Sequence, residues 1–147
     1  MRKQFLFLLI LFLLSGCIRT KVQSVPSATP KPTFQPNPED VILKLKKGDG
    51  TAIQITYREI QALPQVTETL SGKEESGVRL LDLLQHYGVT SFSSVSLIGN
   101  GQSIELAKDQ VTNEVLLAYT KNSNLKLASP LVPKSQWVRT VLRIEIH

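Results

Sequence analysis

Five prolines, Pro26, Pro30, Pro32, Pro36 and Pro38, stand close together among Ser, Thr, Gln and Lys in the first quarter of the chain. Each locks its own backbone φ and withholds an amide donor, so neither a helix nor a central strand can run through them. The run also holds too little apolar surface to offset the entropy of ordering it. Residues 17–38 therefore read as a semi-rigid tether. At about 3.1 Å per residue, a fully extended run of this length reaches roughly 65 Å. What remains for a hydrophobic core is residues 39–147, enough for one domain.

Ahead of the tether, Arg2 and Lys3 are followed by an apolar run over residues 5–14, then Ser15, Gly16 and Cys17. A run of ten residues is short for a bilayer core of about 30 Å. A positive start, a short apolar core and small residues form the pattern of a secretory signal, assigned here to residues 1–16. Leu14-Ser15-Gly16-Cys17 resembles the lipobox of bacterial lipoproteins. In that family the cysteine is acylated and becomes the mature N-terminus. The resemblance implies a protein of the bacterial cell envelope, lipid-anchored through Cys17 and extracytoplasmic, on the periplasmic or cell-surface side. Two other readings of the same residues are an ordinary signal that leaves a free thiol and an uncleaved anchor. Cys17 is the only cysteine, and a lone thiol in an oxidising compartment is a liability unless something caps it. With Cys17 in lipid, no thiolate remains for a metal, a redox pair or a nucleophile. His86 and His147 are the only histidines, so no metal site is expected.

The formal charge of +5 is misleading about the domain. Residues 39–147 carry twelve basic and twelve acidic side chains. A neutral domain with few aromatics lacks the electrostatic footprint of a nucleic-acid binder, so nucleic acid is excluded as a partner. The partners expected are the membrane, through the lipid on Cys17, and a small molecule or an envelope protein.

Periodicity then divides the domain. "VILKLKKGDGTAIQIT" is two β-rich runs about Lys47-Gly48-Asp49-Gly50, a hairpin signal. Thr56 and Glu59 stand in capping-box spacing, opening a short helix that ends before Pro64. "QVTETL" alternates as a strand does, and residues 72–77 read as a charged loop. "GVRLLDLLQHYGV" carries an apolar face of Val78, Leu80, Leu81, Leu83, Leu84 and Tyr87, closed by Gly88. "SSVSLIGNGQSIELA" is a second hairpin, turning at Gly99-Asn100-Gly101-Gln102. "NEVLLAYT" is an apolar strand, and "WVRTVLRIEIH" closes the chain with β alternation. Six or seven short strands with two or three short helices predict an α+β domain with a small mixed β-sheet.

The order "ITYREIQALPQVTETL", "SGVRLLDLLQHYGV", "SVSLIGNGQSIELAKDQV", "NEVLLAYT" and "WVRTVLRIEI" resembles the sulfite-oxidase-like molybdopterin-binding domain of oxidoreductases. The likeness spans most of residues 53–146. It implies that fold in reduced form, because the catalytic marks of the family are missing. In the family a cysteine thiolate at the end of the strand before the Leu-rich helix binds molybdenum. Here that neighbourhood reads Thr69-Leu70-Ser71-Gly72, and a serine hydroxyl is harder and far less acidic than a thiol. The family's late cofactor loop is abbreviated to Pro133-Lys134-Ser135-Gln136-Trp137, with no evident cluster of donors for an anionic pterin.

Three functions follow, the third of them a structural lipoprotein with no ligand. The first is a cofactor-less module, tethered to a membrane, that binds a ligand or a protein. The alternative is a molybdopterin-dependent oxidoreductase that holds its cofactor without the usual cysteine. The first expects no cofactor and no catalytic residue. Its ligand candidates lie at strand ends and loops: Ser71, Lys73, Arg79, Asn100, Tyr119, Lys134, Trp137 and Arg139, with Glu68 beside them. Each also has an ordinary structural role open to it. Tyr119 suits the core, and Trp137 suits a strand over the sheet. Asn100 suits a hairpin turn, Lys73 a polar loop, and Arg79 and Arg139 solvent-facing positions.

Overall fold

The computed structural model describes residues 36–147. The signal segment, Cys17 and the tether as far as residue 35 lie outside the described residues. The first expected hairpin forms as β1 (Val41–Lys46) and β2 (Ala52–Thr56). Gly50 takes a left-handed φ of 87°, its N–H donating to Lys47 O at 2.9 Å, while Asp49 Oδ1 accepts from Thr51 N at 2.8 Å. Only glycine adopts that backbone without cost.

Helix α1 (Tyr57–Ala62) starts on the expected capping box. Thr56 N donates to Glu59 Oε2 at 2.7 Å, and Glu59 N donates back to Thr56 Oγ1 at 3.3 Å. The reciprocal pair satisfies amides that the first helical turn leaves open. These bonds hold the Glu59 carboxyl below its ordinary range.

Residues 72–77 are not the loop that their charge suggests. Residues 73–77 lie within β4 (Lys73–Arg79), paired antiparallel with β3 (Gln65–Leu70) through a two-residue turn, Ser71-Gly72. They pair with β3, and Gly77 to Arg79 pair also with β7 (Leu116–Tyr119) on the other side. The charges are accommodated because Glu74 points to solvent and Glu75, though buried, meets a lysine. Gly77 is where β4 and β7 press together: a Cβ there would stand 2.1 Å from Leu117 O.

Helix α2 (Leu80–His86) is shorter than its apolar pattern predicts, because Gly77, Val78 and Arg79 belong to β4. It buries Leu80, Leu83 and Leu84 completely, while Leu81 is half-buried. Gly88, at φ 73°, closes the end, and Val89 N reaches back to Leu84 O at 2.8 Å.

The second hairpin, β5 (Ser94–Gly99) and β6 (Ser103–Ala107), turns where expected. Strand β7 is the expected "LLAY". It pairs with β8 (Leu125–Ala128), a strand not among those expected. The closing strand β9 spans Val141–Ile146 and begins later than predicted. Trp137 and Val138 stay out of it; Leu127 N donates to Val138 O at 2.9 Å, tying that approach to β8 instead.

The nine strands form two sheets, ordered β2-β1-β9-β5-β6 and β3-β4-β7-β8. The first is mixed, since β1 and β9 run parallel while its other pairs are antiparallel. The second is antiparallel throughout. One core of aliphatic side chains from both sheets and both helices joins them, and it includes Leu43, Leu45, Ile55, Ile60, Leu97 and Leu117. The α+β class holds, with two sheets where one is expected. Among the described residues no helix is long and apolar enough to cross a membrane.

Candidate cationic cleft

The β7–β8 hairpin and the crossover from β8 to β9 enclose a cleft of about 330 Å³ lined by Thr120, Lys126, Lys134, Trp137 and Arg139. Thr120 follows β7 directly. A tight turn holds it there: Thr120 N donates to Asn124 O at 2.8 Å and Ser123 N to Thr120 O at 3.0 Å. Its Oγ1 is buried and has no hydrogen-bond partner, a condition that costs free energy unless something else fills it. Lys126 comes from β8.

The crossover folds to bring up the remaining three. Pro130 and Pro133 keep residues 129–133 from continuing as strand. A 3₁₀ turn, Lys134–Gln136, follows. Trp137 is 5% exposed, and its indole N–H donates to Val132 O at 3.0 Å, which fixes the ring against its own loop. Lys134 Nζ stands 5.7 Å from that ring's centroid, in cation–π range. Arg139 is exposed, with its backbone N donating to Gln102 Oε1 of the β5–β6 turn at 3.3 Å.

The charges are unbalanced. Lys126 Nζ lies 2.8 Å from each carboxylate oxygen of Glu75, a residue only 6% exposed on β4. Among the described residues Lys134 and Arg139 meet no carboxylate within ion-pairing distance. A wall of indole, a buried hydroxyl and two uncommitted cations can hold an anion with a flat, apolar part.

The fold sets three predicted residues, Lys134, Trp137 and Arg139, which lie close together in sequence, beside Thr120 and Lys126 from the β7–β8 hairpin. Other candidates lie apart. Ser71, at φ 51°, and Lys73 are exposed at the β3–β4 turn. Asn100 is exposed at the β5–β6 turn. Arg79 ends β4, its Nη2 3.2 Å from Glu68 Oε1, with its buried Nε unpartnered. Tyr119 is the last residue of β7, and strand alternation turns it away from the Thr120 that follows. There it meets Tyr57 edge to face, with centroids 6.1 Å apart. Its buried hydroxyl has no partner, and burial, with Tyr57 adding to it, pushes the phenol up to about 12. Thr120, Lys126 and Glu75 are absent from the sequence-derived candidates. The one local signal was "LKLA", where a cation alternates with buried apolar residues as in a strand.

No family model and no curated protein matches the chain. Among solved structures it is similar to the sulfane dehydrogenase SoxCD from Paracoccus pantotrophus, with a TM-score of 0.62 and 18% identity. The match covers 78% of this chain and 40% of that one, so the chain spans less than half the length of that protein. Identity this low carries the fold alone. The fold observed is the sulfite-oxidase-like one that the sequence resemblance implies.

That fold family implies molybdopterin, and the donor set does not fit its metal. The turn after β3 offers Ser71, exposed on a two-residue bend, beside a buried Leu70. The described residues contain no cysteine. Nor do they bring three His, Cys, Asp or Glu side chains together as a metal site. A soft, readily ionised sulfur ligand has no counterpart here.

Proposed function

We propose that this chain is a lipid-tethered protein of the bacterial cell envelope whose domain binds an anionic small molecule in the cleft of Thr120, Lys126, Lys134, Trp137 and Arg139. The observation that carries the proposal is the pairing state of that cleft: two cations without carboxylate partners and a buried threonine hydroxyl left open. The guanidinium of Arg139 would clasp two anion oxygens at once, Lys134 would add a point charge, and Trp137 would wall the apolar part of the ligand. Sequestering and presenting a ligand requires no bond making, and no step in this reading needs a metal. The tether and the lipobox-like Leu14-Ser15-Gly16-Cys17 support placement at a membrane surface, outside the cytoplasm.

Trp137, the only tryptophan, reports on its own cleft. Titrating the full chain in detergent with isophthalate, a flat dianion, should change its fluorescence saturably. Arg139→Gln should weaken binding about tenfold or more, the loss of one charge-assisted contact of about 1.5–3 kcal/mol. Equal affinity in the variant, or no saturable change in the parent, would remove the cleft as a binding site.

A further inference from the structure

Glu75 is a carboxylate in a position where burial penalises charge. It lies on β4, directly opposite Glu68 of β3, and is almost fully buried. Like charges facing across strands repel, yet here each carboxylate has its own cation: Glu68 holds Arg79, and Glu75 holds Lys126. Burial makes the second pair hard to break, because separating it leaves a charge stranded away from water. Lys126 nevertheless lines the cleft. One of its N–H donors is taken by the Glu75 carboxylate at 2.8 Å, which leaves others for a ligand.

On the reading of the cleft just proposed, we infer that Glu75 sets the charge of the ligand. By neutralising Lys126 it reduces the cleft from three effective cations to two, Lys134 and Arg139. Lys126 then contributes a hydrogen bond without net charge, beside the open Thr120 hydroxyl. The ligand class is a dianion with a planar apolar body, preferred over the corresponding monoanion and gaining nothing from a third charge.

A series with one ring and increasing charge tests this: benzoate, isophthalate and benzene-1,3,5-tricarboxylate, all ionised at mildly alkaline pH. Each would be titrated against the full chain in detergent by Trp137 fluorescence. The parent should bind isophthalate about tenfold tighter than benzoate, and the tricarboxylate no tighter than isophthalate. In Glu75→Gln the freed Lys126 should make the tricarboxylate the tightest of the three, by about tenfold over isophthalate. Because that variant could fail to fold with an unpaired lysine inside, Glu75→Gln combined with Lys126→Met provides the control. It removes both charges of the pair, so the parental order should persist.

The failures are distinct. A parent that binds none of the three probes overturns the binding role of the cleft itself. A parent that binds them but takes the tricarboxylate tightest, or a double variant that loses the preference for the dianion, overturns the role of Glu75 and leaves the cleft standing.

Discussion

Tyr119 ends β7 and Thr120 follows it, turned the other way by strand alternation, and each carries a buried hydroxyl without a partner. The threonine opens into the cleft, where a ligand can complete it. The tyrosine points into packing against Tyr57, where burial disfavours the charged phenolate. Its folded-state value of about 12 is raised above the ordinary phenol value of about 10. Keeping the proton therefore favours the fold below about pH 10, and that contribution is lost as pH rises through 12. An alkaline titration followed by tyrosinate absorbance should show one of the three tyrosines ionising near 12. Tyr119→Phe should abolish that step, and its stability should fall less steeply between pH 10 and 12. A final step that survives in the variant would assign it to another tyrosine. Single residues of this kind were half legible in the sequence. "LLAYT" reads as a strand, but which hydroxyl meets a cleft and which meets a ring depends on the sheet's two faces.

Among the elements, α2 shows how a clear pattern can overstate its own length. Val78, Leu80, Leu81, Leu83 and Leu84 fit one apolar helical face, yet Val78 is spent on β4, paired with Gln65 and Leu117. The helix that remains buries Leu83 and Leu84 fully and Leu81 only in part. Leu84→Ala should thus cost about 2–5 kcal/mol in chemical denaturation, and Leu81→Ala distinctly less, about half of that or below. Equal losses would mean the helix is turned differently about its axis. The hairpins β1–β2 and β5–β6 and the capping box of α1 were fully legible, because a turn glycine or a Thr–Glu pair acts within a few residues. Strands β4 and β8 were not. Their backbone partners lie in other strands, and their polar residues mask the alternation until Glu75 and Lys126 are seen to neutralise each other.

At the scale of the whole molecule, two sheets and two short helices share one core and hold the cationic cleft beside β8. The proposed anchor belongs to this scale as well, since it decides where the cleft works. Two acyl chains hold a protein at a membrane durably where one would not. Cys17→Ser should therefore move the full-length protein from the detergent phase to the aqueous phase on phase separation, with no incorporated lipid label. Unchanged partitioning would remove the lipid from the account. The sequence by itself determined the local devices: the turns, the cap, and the lack of any thiolate within the domain. Those depend on the conformational preferences of neighbouring residues or on composition. Only the tertiary structure decided the cleft, because Glu75 and Lys126 lie 51 positions apart, and Thr120 joins Lys134, Trp137 and Arg139 only once β8 pairs with β7. Electrostatic neutrality summed over residues 39–147 hid a local excess of positive charge, since charge acts through distance in space and not through order in sequence.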